Sequence, residues 1–240
     1  MSSGSTDPTA GSASTRVIRE HYSPLAAGTE LWHVYPTAYA PRDFNPGSRN
    51  RFAIPPPPPR SMFYAGDTSA CALWEAILRN LVIGAGNPQH VDPAILEGRS
   101  IARLTLTQEV PILDLRAPHL RHLSKEKALH ALWQRLSVVL ESEYDQTHTE
   151  ARALIAAAPR SAGLCWHSRQ ITAQTAYVFY SPPLTPPIEF EVLEEFELKQ
   201  RKGWVLIDQA LKLVDVERLG AAALVKELLD ELPPIDLDDG

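Results

Sequence analysis

The spacing of apolar residues changes period several times along the chain, and each change marks an element. Leu31–Tyr35 (LWHVY) is a short aromatic and β-branched run that reads as a strand. From Pro36 to Arg60 the chain is rich in Pro, Asn, Gly and Arg and includes the five prolines Pro55–Pro59, which cannot join a ladder and act as a stiff extended connector. Ser61–Ala65 (SMFYA) then alternates as a strand, with Met62 and Tyr64 on one face and Phe63 and Ala65 on the other. A tight turn at Gly66 follows. Asp67 or Thr68 can cap a helix whose apolar stripe is Ala70, Leu73, Trp74, Ile77, Leu78 and Leu81. Glu75 lies roughly 140° around that helix from Ala70, at the flank of the stripe.

Arg103–Leu106 and Val110–Leu115 read as two further strands. A long amphipathic helix is expected from Ser124 to Glu143. Thr147 to Glu150 has capping-box spacing for another helix, which runs to Ala158 and is ended by Pro159. Gly163–Trp166 and Thr175–Tyr180 read as strands on either side of His167-Ser168-Arg169. Pro182, Pro183, Pro186 and Pro187 mark a break, followed by Glu-rich strand-like pieces, a GWVLI run at Gly203–Ile207 and a last helix at Val216–Glu231. There is no internal repeat. Strands and helices without a regular βαβ rhythm predict an α+β domain with small mixed β-sheets and flanking helices. Gly84-Ala85-Gly86-Asn87 follows a helix, not a strand, and Pro88 interrupts the chain where a second helix would begin, so no dinucleotide fingerprint of the Rossmann type is present.

With 240 residues the chain can bury one core plus a small appendage. The division expected is a disordered leader over 1–28, a core domain over 29–182, and a C-terminal extension over 183–240 that packs on the core and ends in an acidic tail. Met1–Thr15 is mostly Ser, Gly, Thr and Ala, without the basic and apolar regions of a secretory signal, and no run of about 18 apolar residues suits a membrane span. Cys71 and Cys165 lack metal or disulfide spacing and fit reduced thiols in a cytoplasm. No His spacing suggests a metal site. A net charge of -6 argues against a nucleic-acid-coating protein, whereas a small anion held by one or two arginines in a cleft is compatible with it.

Taken singly, the polar residues of interest have ordinary readings. Glu75 is a solvated flank residue, Tyr64 a strand aromatic, Arg49 and Arg51 loop arginines, and Ser168 a turn hydroxyl without a G-x-S-x-G elbow. Their order changes this. LWHVY, NPGSRNRF, MFYAGDTSACALWEAIL and, much later, AGLCWHSRQ together resemble the RES domain, named for an arginine, a glutamate and a serine. The resemblance covers Leu31 to Tyr180 and identifies Tyr64, Glu75 and Ser168 with the family's tyrosine, glutamate and serine. Its arginine is Arg51 or Arg49, since the loop reads SRNRF, and His33 stands where many members carry an arginine.

The resemblance implies a single compact domain similar to ADP-ribosylating toxins and an activity on NAD as substrate, without cofactor or metal. Cleavage of the nicotinamide–ribose bond builds positive charge on the ribose, which a fixed carboxylate stabilises. The roles implied are Glu75 as that carboxylate and Ser168 as a catalytic hydroxyl bonding ribose or amide. Arg51 would hold the pyrophosphate and Tyr64 would stack on nicotinamide, with Arg49, His33 and Arg169 also in contact with substrate. The acceptor is water in a glycohydrolase, phosphate in a phosphorylase, or a protein in a mono-ADP-ribosyltransferase. A catalytically inactive RES-like binding module is the other class of reading. An antitoxin or immunity protein is the partner the resemblance implies, with neither nucleic acid nor membrane contacted directly.

Overall fold

A computed structural model describes residues 17–55, 60–81, 89–181 and 187–220. Eight strands form one sheet: β1 (Ser23–Leu25), β2 (Glu30–Pro36), β3 (Ser61–Gly66), β4 (Arg99–Leu106), β5 (Val110–Asp114), β6 (Gly163–His167), β7 (Thr175–Ser181) and β8 (Phe190–Glu197). Their spatial order is β1-β5-β6-β7-β3-β2-β4-β8. Among these strands only β5 and β6 run parallel. A parallel pair needs a long crossover, and α2 (Leu120–Leu123), α3 (Lys127–Leu136) and α4 (Tyr144–Ala157) supply it. Two further helices are α1 (Ser69–Ala76), directly after β3, and α5 (Arg201–Lys212), after β8. This is the mixed sheet with flanking helices that the sequence predicts, gathered into one sheet instead of several small ones.

The alternation in β3 sorts the core as expected. Met62 and Tyr64 pack with Trp133, Leu154 and Trp166 on the side of α3 and α4. Phe63 and Ala65 pack with Leu31, Phe179 and Phe190 on the other face. The stripe expected along Ala70–Leu81 has its own partner, because Leu73, Trp74 and Leu78 cluster with Ile207, Ala210 and Leu211 of α5, but α1 ends at Ala76 and Leu78 lies in the 3₁₀ turn that follows, Leu78–Asn80. The Trp74 indole N–H donates to the Ala210 carbonyl at 3.0 Å, which fixes α1 against α5. The GWVLI run therefore lies inside a helix.

Several boundaries differ from the sequence reading. The helix expected over Ser124–Glu143 ends at Leu136, where the Ser137 hydroxyl bonds the Trp133 carbonyl. Leu140 is extended and a 3₁₀ turn follows at Glu141–Glu143. The next helix begins at Tyr144, three residues before the expected cap. Thr147 and Glu150 do not form a capping box, since both are buried and serve distant groups. The Thr147 hydroxyl accepts the Phe52 amide, and Glu150 accepts the Trp133 indole N–H. Tertiary demand has taken the side chains that local capping would use. Within the leader expected over 1–28, Ser23–Leu25 instead pairs with Val110–Ile112 as an edge strand. The strand expected over Arg103–Leu106 starts earlier, at Arg99, because β2 and β8 flank and pair with it along its length. Val216–Gly220 is not helical, and the remainder of the helix expected to Glu231 lies outside the described residues, as do residues 1–16, 56–59, 84–88 and the acidic tail. Among the described residues no helix is long and apolar enough to cross a membrane.

Candidate active site

The turn between β3 and α1 sets the position of Glu75. A Cβ on Gly66 would lie 2.7 Å from the Ala72 amide nitrogen and 2.8 Å from Cys71 Cβ, so only glycine lets the helix start this close to the strand. Thr68 caps α1 by accepting the Cys71 amide at 3.0 Å, and its hydroxyl donates to Gln174 Oε1 at 2.8 Å. One side chain thus ties the start of α1 to the loop between β6 and β7 that carries Ser168.

That loop meets Glu75. Ser168 Oγ donates to Glu75 Oε1 at 2.8 Å, and the Arg169 amide donates to the same oxygen at 3.0 Å. Ser168 is buried, and its Oγ also accepts weakly from the Gln170 and Ile171 amides, each at 3.3 Å. The second carboxylate oxygen, Oε2, lies 3.6 Å from Arg51 Nη1, with side-chain exposures of 6% for Arg51 and 24% for Glu75. One oxygen of Glu75 is therefore anchored by two donors while the other faces a cation.

Arg51 is positioned by its backbone. The next residue, Phe52, has φ 59°, a left-handed conformation that a bulky residue adopts only when its surroundings impose it. Three side chains do so: Thr147 accepts the Phe52 amide at 3.0 Å, Tyr180 Oη donates to the Phe52 carbonyl at 2.8 Å, and Tyr64 Oη donates to the Arg51 carbonyl at 3.1 Å. The guanidinium donates through Nη2 to the Val139 carbonyl at 3.1 Å and sits 5.7 Å from the centre of the Tyr144 ring. Its Nε and Nη1 are buried without a hydrogen-bond partner. Leaving such donors unsatisfied is costly, and for Nη1 the facing Glu75 carboxylate offsets part of that cost.

Arg51 and Glu75 border a cavity of about 600 Å³, within the range that holds small-molecule ligands, whose wall also includes His33, Tyr64, Arg79 and Tyr144. His33 is buried, its Nδ1 bonds the Tyr64 carbonyl, and its ring stacks on Phe63 at 4.0 Å. Burial pulls its pKa down to about 4, so the imidazole is neutral near pH 7 and acts as a fixed dipole. Burial also raises the Tyr64 hydroxyl above its ordinary value, keeping it protonated to donate to Arg51. The Cys71 thiol is likewise pushed up by burial, which disfavours its thiolate.

Of the residues singled out in sequence, Arg51, Tyr64, Glu75 and His33 come together on the cavity wall, with Ser168 directly behind Glu75. Arg49 is exposed and meets His148 only through its carbonyl, so Arg51 is the arginine that reaches Glu75. The Arg169 side chain is exposed, and its contribution is the backbone N–H. Sequence reasoning missed Arg79 and Tyr144. Arg79 follows Glu75 by four residues, which in the helix expected to Leu81 would share its face, whereas the structure ends α1 at Ala76 and carries Arg79 in the 3₁₀ turn Leu78–Asn80. Tyr144 directly follows the Glu141-Ser142-Glu143 stretch, whose acids favour a helix start at this point.

The RES domain family model matches residues 16–195, and the chain belongs to that family. Among solved structures, the chain is similar to one in the crystal structure of the M. tuberculosis MbcT–MbcA toxin–antitoxin complex, at 12% identity and a TM-score of 0.47, covering 72% of this chain and 86% of that one. No curated protein matches in sequence.

Proposed function

We propose that this protein is a toxin-type enzyme that consumes NAD by cleaving its nicotinamide–ribose bond, passing the ADP-ribosyl group to water or phosphate. The observation that carries this reading is the doubly anchored carboxylate of Glu75, held by Ser168 Oγ and the Arg169 amide beside a buried arginine in a ligand-sized cavity. Family membership supplies the substrate class.

In this scheme the bond between ribose C1′ and the nicotinamide nitrogen breaks with its electron pair going to the ring, which leaves neutral. The ribose becomes cation-like, and the fixed negative charge of Glu75 stabilises it without reorganising. An oxygen of water or phosphate then bonds to C1′, and its proton passes to solvent. The Arg51 guanidinium, which lines the cavity beside Glu75, suits the oxygens of the substrate's diphosphate. Tyr64 holds the Arg51 carbonyl and lines the cavity, while neutral His33 supports the Tyr64 backbone.

An antitoxin or immunity protein that covers the cavity, and a cytoplasmic setting where NAD is abundant, belong to the same proposal. Separating the products of NAD incubated with purified protein, with and without phosphate, tests it. Release of nicotinamide with ADP-ribose, or with its 1″-phosphate when phosphate is present, is expected. Transfer of the label to protein instead would establish an ADP-ribosyltransferase, and intact NAD would favour a binding module.

A further inference from the structure

Arg79 stands on the cavity wall but takes no part in the contacts that hold Arg51, Glu75 and Ser168 together. Its carbonyl accepts from the Gln170 side chain at 3.4 Å, which keeps its backbone against the loop that carries Ser168. Its guanidinium reaches across to the 3₁₀ turn before α4, where Nη2 lies 2.7 Å from Glu141 Oε1. The same turn region supplies the Val139 carbonyl and the Tyr144 ring that receive Arg51. The Arg79–Glu141 pair therefore spans two segments that border one cavity.

Two properties of this pair point to a ligand-responsive contact instead of a fixed staple. Both side chains are accessible, at 29% for Arg79 and 56% for Glu141, and an ion pair of that kind contributes little and breaks easily. Arg51, by contrast, is buried and already faces Glu75, so it offers one partly neutralised cation to a diphosphate that carries two negative charges. Arg79 offers a second guanidinium on the same wall, and Glu141 occupies it with a carboxylate.

We propose that Arg79 is a second diphosphate-binding residue of this site and that Glu141 is an internal competitor for it, displaced when the substrate's phosphates arrive. The inference rests on the reading of the cavity as a dinucleotide site and adds to it the residue and the exchange. Formation of a bidentate guanidinium–phosphate contact offsets the loss of the Glu141 contact.

The test uses the full-length protein, with inorganic pyrophosphate as probe in isothermal titration and NAD in steady-state assays. Arg79→Ala should weaken pyrophosphate binding and raise the KM for NAD about tenfold, with Arg79→Lys recovering part of the loss because it restores charge without the fork. Glu141→Gln should act in the opposite direction, tightening pyrophosphate binding and lowering KM by about two- to fivefold. A structural staple would make both variants act alike, since each breaks the same bridge, and weakening in both would overturn the proposal. So would an Arg79→Ala variant that binds pyrophosphate as the wild type does, or a wild type that does not bind it. Nicotinamide release by the wild type scores the NAD reading separately: pyrophosphate binding with opposite-sign variants but no NAD loss would sustain the role of Arg79 and reject NAD as substrate.

Discussion

Ser168→Ala separates two roles for the hydroxyl that gives the family part of its name. The sequence reading has it touch ribose or amide, whereas the structure has it buried and donating to Glu75 Oε1 at 2.8 Å. A hydrogen bond to a charged group contributes about 1.5–3 kcal/mol. Glu75 keeps the Arg169 amide at 3.0 Å and is partly exposed, so the lower end of that range applies, about 1.5 kcal/mol or roughly tenfold in rate. Loss of the weak acceptor for the Gln170 and Ile171 amides, each at 3.3 Å, adds about 1 kcal/mol of destabilisation, or roughly 2–4 °C in Tm for a chain of this size. The assay is NAD turnover with kcat and KM resolved, beside a thermal melt. A fall of about tenfold in kcat with little change in KM, partly restored by Ser168→Thr, is expected for a hydroxyl that positions a carboxylate. A rise in KM at constant kcat would refute the reasoning and return Ser168 to the substrate.

The remaining predictions follow from the same geometry. Arg51→Ala should raise KM for NAD by about tenfold or more, since it removes a charged side chain that lines the cavity, whereas exposed Arg49→Ala should leave it unchanged; the two saturation curves decide between them. Tyr64→Phe should cost about 1 kcal/mol of stability by leaving the Arg51 carbonyl without its donor at 3.1 Å, measured by denaturant unfolding, with turnover falling less than in Ser168→Ala. His33 has its pKa lowered from 6.5 to about 4 in the folded state, so below pH 6.5 the unfolded chain takes up the proton first. Its contribution is complete above pH 6.5 and is lost as pH falls to about 4, by about 3 kcal/mol in all. His33→Asn should flatten that part of the stability profile in denaturant titrations across pH.

The β3–turn–α1 unit was legible because three local signals agree: alternation in SMFYA, a capping threonine, and a stripe at helical spacing. The same periodicity placed Glu75 at the flank of α1, where the structure has it facing the cavity. Its meeting with Ser168 was not written in any local pattern, since 93 positions separate them and the contact depends on β7 lying between β6 and β3. Only the order of the motifs pointed to it. The choice between Arg49 and Arg51 was closed to sequence for another reason. The direction of the loop depends on the left-handed backbone of Phe52, which Thr147, Tyr64 and Tyr180 impose across the fold. Tyr144 was hidden by the same Thr147, whose capping-box spacing suggested a later helix start while its hydroxyl was engaged with Phe52.

The central claim is that the anchored carboxylate of Glu75 stabilises a ribosyl cation formed from NAD. In Glu75→Gln the side-chain carbonyl oxygen can keep the Ser168 and Arg169 donors, while an amide NH₂ replaces the oxygen that faces Arg51 at 3.6 Å. The geometry is largely retained and the charge is lost. The decisive measurement is nicotinamide released from NAD by the purified wild type and by Glu75→Gln, with a thermal melt of each. The account predicts release by the wild type and a folded variant about 10²- to 10³-fold slower. No release by the folded wild type, or a folded variant as fast as the wild type, would contradict it.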